Sequence, residues 1–341
     1  MTDNKLDDIA KQLVADGKGV LAADESSGTI KKRFDSIGVE STEDRRRAYR
    51  EMLFTTAGAE GNISGVILFD ETIRQAASDG RQLPKILEEN GIIPGIKVDK
   101  GTTPLAGAPN ELVTEGLDGL RERLVEYRGL GAKFAKWRAV IDIADGIPSS
   151  YALDVNAHAL ARYAALCQDE GIVPIVEPEV LMDGDHSIDR CFEVTQETLS
   201  IVFDRLFEQR VAFEGMLLKP NMVIPGKKNG SYPAAPELVA EATVRCFQRV
   251  VPAAVPGIVF LSGGQGDEEA TANLDAMNKI GPHPWRLSFS YGRALQAAAL
   301  KAWKGDDANA GAGQSAYLHR AHMNGLATAG AYNAEAERAG A

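Results

Sequence analysis

Short runs rich in apolar and β-branched residues recur along the chain and close on polar or glycine-rich turns. Eight stand out: 19–25 (GVLAADE), 65–70 (GVILFD), 92–99 (IIPGIKVD), 132–141 (AKFAKWRAVI), 172–179 (IVPIVEPE), 213–220 (FEGMLLKP), 257–264 (GIVFLSGG) and 285–292 (WRLSFSYG). Several begin just after a glycine, the order expected where a helix stops and a strand follows. Between them, 42–57, 156–170, 189–209 and 237–250 carry apolar residues at helical spacing. Ser41 followed by Asp44 resembles a capping box at the head of the first of these segments.

Strand and helix alternating eight times predict an α/β fold: a single (β/α)8 TIM barrel, with parallel strands inside and helices outside. The alternative is a doubly wound open sheet. Its dinucleotide-binding version is weakened because no Gly-x-Gly-x-x-Gly follows the first run. No internal linker divides the chain. The barrel is expected over 1–330, and the end, 331–341, reads as a short mobile tail.

Ionisable residues gather where the predicted strands end, the end at which barrels place active sites. Asp24 and Glu25 follow the first run. Lys97, Asp99 and Lys100 end the third, Lys136 and Arg138 sit late in the fourth, Glu177 and Glu179 end the fifth, and Lys219 ends the sixth. Residues i and i+2 of a strand share a face, so Lys136 pairs with Arg138 and Glu177 with Glu179. Any one of these alone reads as a solvated loop charge or half of a structural ion pair. Five of eight strands ending this way points to function, because burying so many charges without use is costly.

Lys219 follows Met216, Leu217 and Leu218 and precedes Pro220, so it is expected to be desolvated. Desolvation and neighbouring cations favour a neutral amine that attacks a carbonyl. Lys136 either supplies that neighbouring charge or is itself the amine. The last two runs end in SGGQG, with Ser262, Gly263 and Gly264, and in SFSYGR, with Ser290, Gly292 and Arg293. Glycines let backbone N–H groups approach an anion, and an arginine can fork onto phosphate. Lys97 and Arg138 are placed to hold a second phosphate across the mouth.

The remaining composition narrows the field. The formal net charge is −11, which disfavours nucleic acid or an anionic membrane as partner. The cysteines, Cys167, Cys191 and Cys246, imply neither a disulfide framework nor a zinc knuckle and suit a reducing cytoplasm. Residues 1–12 do not read as a signal peptide. No metal site is expected: His319 and His322 read as solvated surface residues, and His186 as part of a polar turn. Trp137, Trp285 and Trp303 read as packing residues.

At 211–221, VAFEGMLLKPN, the chain resembles the Schiff-base signature of class I fructose-bisphosphate aldolases. LAADESSGTIKKR, GVILFDET, GIKVDKG, KFAKWR, PIVEPEV, FLSGGQ and SFSYGRALQ resemble that family's blocks in the same order, covering about 16–303. The resemblance implies a metal- and cofactor-free (β/α)8 lyase. Such an enzyme reversibly cleaves fructose 1,6-bisphosphate to dihydroxyacetone phosphate and glyceraldehyde 3-phosphate, commonly as a homotetramer. It makes Lys219 the imine-forming amine, Glu177 the principal acid/base, and Asp24, Lys136 and Glu179 the supporting cluster. It places Ser262, Gly263, Ser290, Gly292 and Arg293 around the ketone-side phosphate, with Arg33 close by. Ser26, Thr29, Lys97 and Arg138 fall in the aldehyde-side phosphate region. Thr29 stands where animal members usually have Ser.

The family's usual terminal tyrosine is missing: the chain ends in Ala341, and its last tyrosine is Tyr332. Weak dependence on the tail is therefore expected. Two other readings compete. A barrel glycosidase would use Glu177 and Glu179, whose i, i+2 spacing does not suit opposed carboxylates. A sugar-phosphate-binding protein would need the anion loops but not Lys219, Glu177 and Asp24. Preference among fructose 1,6-bisphosphate, fructose 1-phosphate and sedoheptulose 1,7-bisphosphate stays open. So does service in glycolysis, gluconeogenesis or carbon fixation.

Overall fold

The computed structural model describes residues 4–339. Its strands in chain order are β1 (Gly19–Ala23), β2 (Ile63–Leu68), β3 (Ile93–Lys97), β4 (Thr102–Pro104), β5 (Leu112–Thr114), β6 (Phe134–Ile141), β7 (Val173–Val180), β8 (Leu217–Leu218), β9 (Gly257–Phe260) and β10 (Arg286–Tyr291). Eight of them close into a parallel barrel in the order β1-β10-β9-β8-β7-β6-β3-β2. β4 and β5 form an antiparallel pair outside the barrel, an element absent from the sequence reading. Among the described residues no helix is long and apolar enough to cross a membrane.

The expected helices are present with shifted starts. The first runs Glu43–Phe54, and its cap is Thr42, not Ser41: the Thr42 hydroxyl accepts from the Arg45 N–H at 3.3 Å. The second begins at Ser150 rather than 156, because Ser149 caps it by accepting from the Ala152 N–H. Each such cap contributes about 1 kcal/mol. The sixth expected strand, 213–220, is mostly not strand. Phe213–Gly215 is a 3-10 turn, and only Leu217–Leu218 pairs in the sheet.

The barrel interior has two floors. The lower is apolar: Leu6, Ala10 and Leu13 of helix Asn4–Leu13 and the adjacent Val14 plug it, packing on Val20, Ala22, Ile67, Phe134, Val173, Ile175, Leu217 and Val259. The same strands carry charge on the upper floor, so the pleat of β6 points Phe134, Lys136 and Arg138 inward. Ala135, Trp137 and Ala139 alternate outward into the core beneath the helices. Trp137, Trp285 and Trp303 are all buried packing residues.

The lower floor fits only because small residues face large ones. A Cβ on Gly95 of β3 would lie 2.3 Å from the ring of Phe134.

The segment expected to be a tail carries helix Ala334–Ala339, and residues 340–341 lie outside the described residues. Glu337 of that helix pairs with the guanidinium of Arg320 and, at 3.0 Å, with His319. His319 is therefore a bonded, half-buried residue rather than a solvated one. His186 is likewise buried, 8% exposed.

Replacing Gly95 with Ala should destabilise the fold by roughly 1–3 kcal/mol, the usual cost of overpacking. Urea unfolding would read this as a lower midpoint. An unchanged midpoint would show that the Phe134 layer is not tightly packed.

Candidate active site

Strand register builds the site. β6 and β7 pair with Arg138 opposite Glu177 and Val140 opposite Glu179. β3 and β6 pair with Lys97 opposite Lys136. The Lys219 N–H donates to the Val176 carbonyl at 2.8 Å, which brings Lys219 out of β8 directly beside Glu177. Asp24 follows β1 across the barrel.

These side chains form one buried chain of charges. The Lys136 ammonium lies 2.8 Å from Asp24 Oδ2, 3.0 Å from Glu177 Oε2 and 4.0 Å from Asp99 Oδ2. Lys219 Nζ lies 3.2 Å from the other Glu177 oxygen, Oε1. Glu177 thus bridges the two lysines, and all three side chains are 4–5% exposed.

Burial raises the Asp24 pKa, but Lys136 and then Lys219 outweigh it and hold the carboxyl well below its usual range. For Lys136, burial pulls the pKa down, and Asp24, Glu177 and Asp99 more than reverse that. That direction favours the ammonium form of Lys136. Of the two readings left open for it, the structure supports the neighbouring charge and disfavours the nucleophile. Glu179 pairs with the guanidinium of Arg138 rather than with either lysine.

Every candidate catalytic and phosphate-binding residue from the sequence lines one cavity of about 1190 Å³ at the C-terminal ends of the strands. Ser262, Gly263 and Gly264 follow β9. Ser290 ends β10, with Gly292 and Arg293 opening helix Arg293–Trp303. The Ser290 hydroxyl is buried without a hydrogen-bond partner, a donor free for a ligand. The guanidinium of Arg293 donates to the Gly263 carbonyl, which ties the two loops together. The N-terminus of helix Arg293–Trp303 favours an anion here.

On another wall, the Ser26 and Thr29 hydroxyls lie 3.2 Å apart at the start of helix Ser27–Asp35. Lys97 Nζ donates to Asp99 Oδ1 and to its carbonyl, at 2.5 and 2.8 Å.

Some contributors had no assigned role in the sequence. Glu25 is buried and holds Arg33 at 2.6 Å and Arg50 at 2.7 Å, and it accepts from Gln296 Nε2 at 2.7 Å. Glu25 therefore sets where Arg33 can reach. Asp99 does the same for Lys97. Both acids sit in the strand-end pattern, but Arg50 and Gln296 lie on distant helices with no local signal.

The family model described as fructose-bisphosphate aldolase class-I matches residues 5–341. The chain belongs to the class I fructose-bisphosphate aldolase family. A probable class 1 fructose-bisphosphate aldolase of Xylella fastidiosa is 58% identical over 331 residues, 97% of this chain and 99% of the relative. Cytosolic fructose-bisphosphate aldolase 4 of Arabidopsis thaliana is 55% identical, over 94% of this chain and 82% of its own. Fructose-bisphosphate aldolase C of Rattus norvegicus is 53% identical, over 96% and 91%. A solved Plasmodium falciparum fructose-bisphosphate aldolase, in complex with TRAP and a small-molecule inhibitor, superposes with a TM-score of 0.95. Its sequence is 50% identical, and the match covers 97% of this chain and 95% of that one.

The buried charges make a pH prediction for this family member. The Asp24 pKa is lowered on folding from an ordinary value near ~4. Its stabilisation is therefore full above that unfolded value and is lost as pH falls through the folded one. Urea unfolding from about pH 6 down to pH 3 should show Asp24→Asn with a flatter acid decline than the parent. Parallel declines would show that Asp24 is not held ionised by Lys136.

Proposed function

We propose that this chain cleaves fructose 1,6-bisphosphate reversibly to dihydroxyacetone phosphate and glyceraldehyde 3-phosphate through an imine on Lys219. The observation that carries the reading is the sharing of Glu177 between two buried lysines, one of them surrounded by three carboxylates. The carboxylates around Lys136 favour its charged form, which supports Lys219 as the nucleophile.

The family resemblance supplies the steps, and the positions of these residues support them. The Lys219 amine adds to the C2 carbonyl, and Glu177, beside its nitrogen, moves the protons that release water from the carbinolamine. The protonated imine is an electron sink. Glu177 then takes the C4 hydroxyl proton, the C3–C4 bond pair flows into the imine, and glyceraldehyde 3-phosphate departs. The enamine is protonated at C3, and water returns the amine and dihydroxyacetone phosphate. Lys136 and Asp24 keep a fixed charge beside these transfers, and Glu179 orients Arg138. Two phosphate clamps hold C2 against Lys219: Ser262, Gly263, Gly264, Ser290, Gly292, Arg293 and Arg33 on the ketone side, and Ser26, Thr29, Lys97 and Arg138 on the aldehyde side.

Cytosolic relatives support a cytoplasmic enzyme, and the family resemblance supports a homotetramer. Tyr332 is not among the residues lining the cavity, and its N–H is bound to Asp275 at 2.9 Å. This supports a cleavage step that does not lean on the tail.

Lys219→Arg should abolish cleavage while leaving phosphate binding within about a factor of two, because the anion loops are untouched. Turnover retained by that variant would refute the imine on Lys219. Tyr332→Phe should keep kcat within about twofold of the parent. A large fall in kcat, with the fold intact by circular dichroism, would give Tyr332 a catalytic part.

A further inference from the structure

Lys227 was given no part in the chemistry above, yet it lines the same cavity. Its backbone is fixed. Gly226 N–H donates to the His186 carbonyl at 2.9 Å, Lys227 N–H to Met182 at 2.7 Å and Lys228 N–H to Gly184 at 2.9 Å. Asn229 Nδ2 adds a bond to the Asp185 carbonyl at 2.8 Å. The loop after β8 is thus clamped along the loop after β7. The approach is so close that a Cβ on Gly226 would lie 2.3 Å from the Gly184 carbonyl oxygen.

From that base the Lys227 side chain reaches across to the loop after β9. Its Nζ sits 2.3 Å from where a Cβ of Gly264 would be, so the ammonium rests on a bare glycine backbone. The amide of Gly264 is itself held by the Met182 sulfur, at 3.0 Å.

Lys227 also has no ion-pair partner among the described residues. Lys97, Lys136, Lys219, Arg33 and Arg138 all pair with carboxylates. Among the described residues, Arg293 likewise has no ion-pair partner. Both cations flank the 262–264 loop, Arg293 through Gly263 and Lys227 through Gly264. An unpaired ammonium in the same cavity as the unpartnered Ser290 hydroxyl attracts a dianion.

We propose that Lys227 is a further substrate-binding residue, its ammonium pairing with the phosphate held by the 262–264 loop and Arg293. It favours the doubly charged phosphate ester on the ketone side of the substrate. The role rests on the aldolase reading for its substrate but not for its anion.

The test compares the parent with Lys227→Met and Lys227→Arg. Cleavage of fructose 1,6-bisphosphate is measured across a salt series, and inorganic phosphate binding is measured separately by calorimetry. Loss of one partly solvated cation should raise KM roughly three- to tenfold, leave kcat near the parent value and make KM less sensitive to salt. Phosphate affinity should fall by a similar factor, and Lys227→Arg should restore most of both. Unchanged KM and phosphate affinity in Lys227→Met would overturn the proposal. So would a fall in kcat at constant KM, which would mark a structural role for the clamp. An inactive parent would refute the aldolase reading alone, and the calorimetry would still decide the role of Lys227.

Discussion

The Lys136 ammonium is shared between Asp24 and Glu177, at 2.8 and 3.0 Å, with its side chain only 4% exposed. Removing Lys136 would strip the buried Asp24 carboxylate of its ion-pair partner, at a cost of about 3–5 kcal/mol. β6 and β7 each contribute one member and the residue after β1 the third, so the closure of the barrel and the charge pattern are one constraint. With Lys136 favoured as a cation, Asp24 is favoured as an anion. Glu177 is left with one oxygen on Lys136 and one on Lys219.

The two floors of the barrel make this arrangement affordable. Below, helix Asn4–Leu13 and the Phe134 layer form a dry, apolar plug. Above, charges are paired with one another or left facing a cavity. The last two strands end in backbone donors and an unpartnered Ser290 hydroxyl. Glu25 and Asp99 stand behind Arg33 and Lys97 and hold cations at the rim. An anionic ligand with a carbonyl in its middle fits this division: its ends meet cations and its centre meets the lysine.

Much of this was legible in the sequence because it is local. The i, i+2 spacing of Lys136 with Arg138 and of Glu177 with Glu179 survives in the barrel as written, since strand periodicity admits no other face. Lys219 stands out because a lysine after Met216, Leu217 and Leu218 has no solvated reason to be there. The sequence motifs also carried the family resemblance, to which the whole-chain match gives the same answer. What the sequence concealed is long-range. Arg50 and Gln296 meet Glu25 from 25 and 271 positions away, and no local pattern announces either contact. The β4–β5 pair is three residues a side, too short for alternation to show. Helix starts moved because a serine or threonine cap, not the first apolar residue, decides them. His319 read as a surface residue because its partner, Glu337, lies in a stretch whose composition suggested a loose tail.

The most direct test is to trap the intermediate. The protein is incubated with dihydroxyacetone phosphate, reduced with borohydride, digested and mapped by mass spectrometry. A stable adduct on Lys219, with none on Lys136, is the result expected from a Lys136 ammonium and a Lys219 amine. An adduct on Lys136 would contradict that division of labour between the two lysines, and no adduct with the phosphate still bound would contradict the imine altogether.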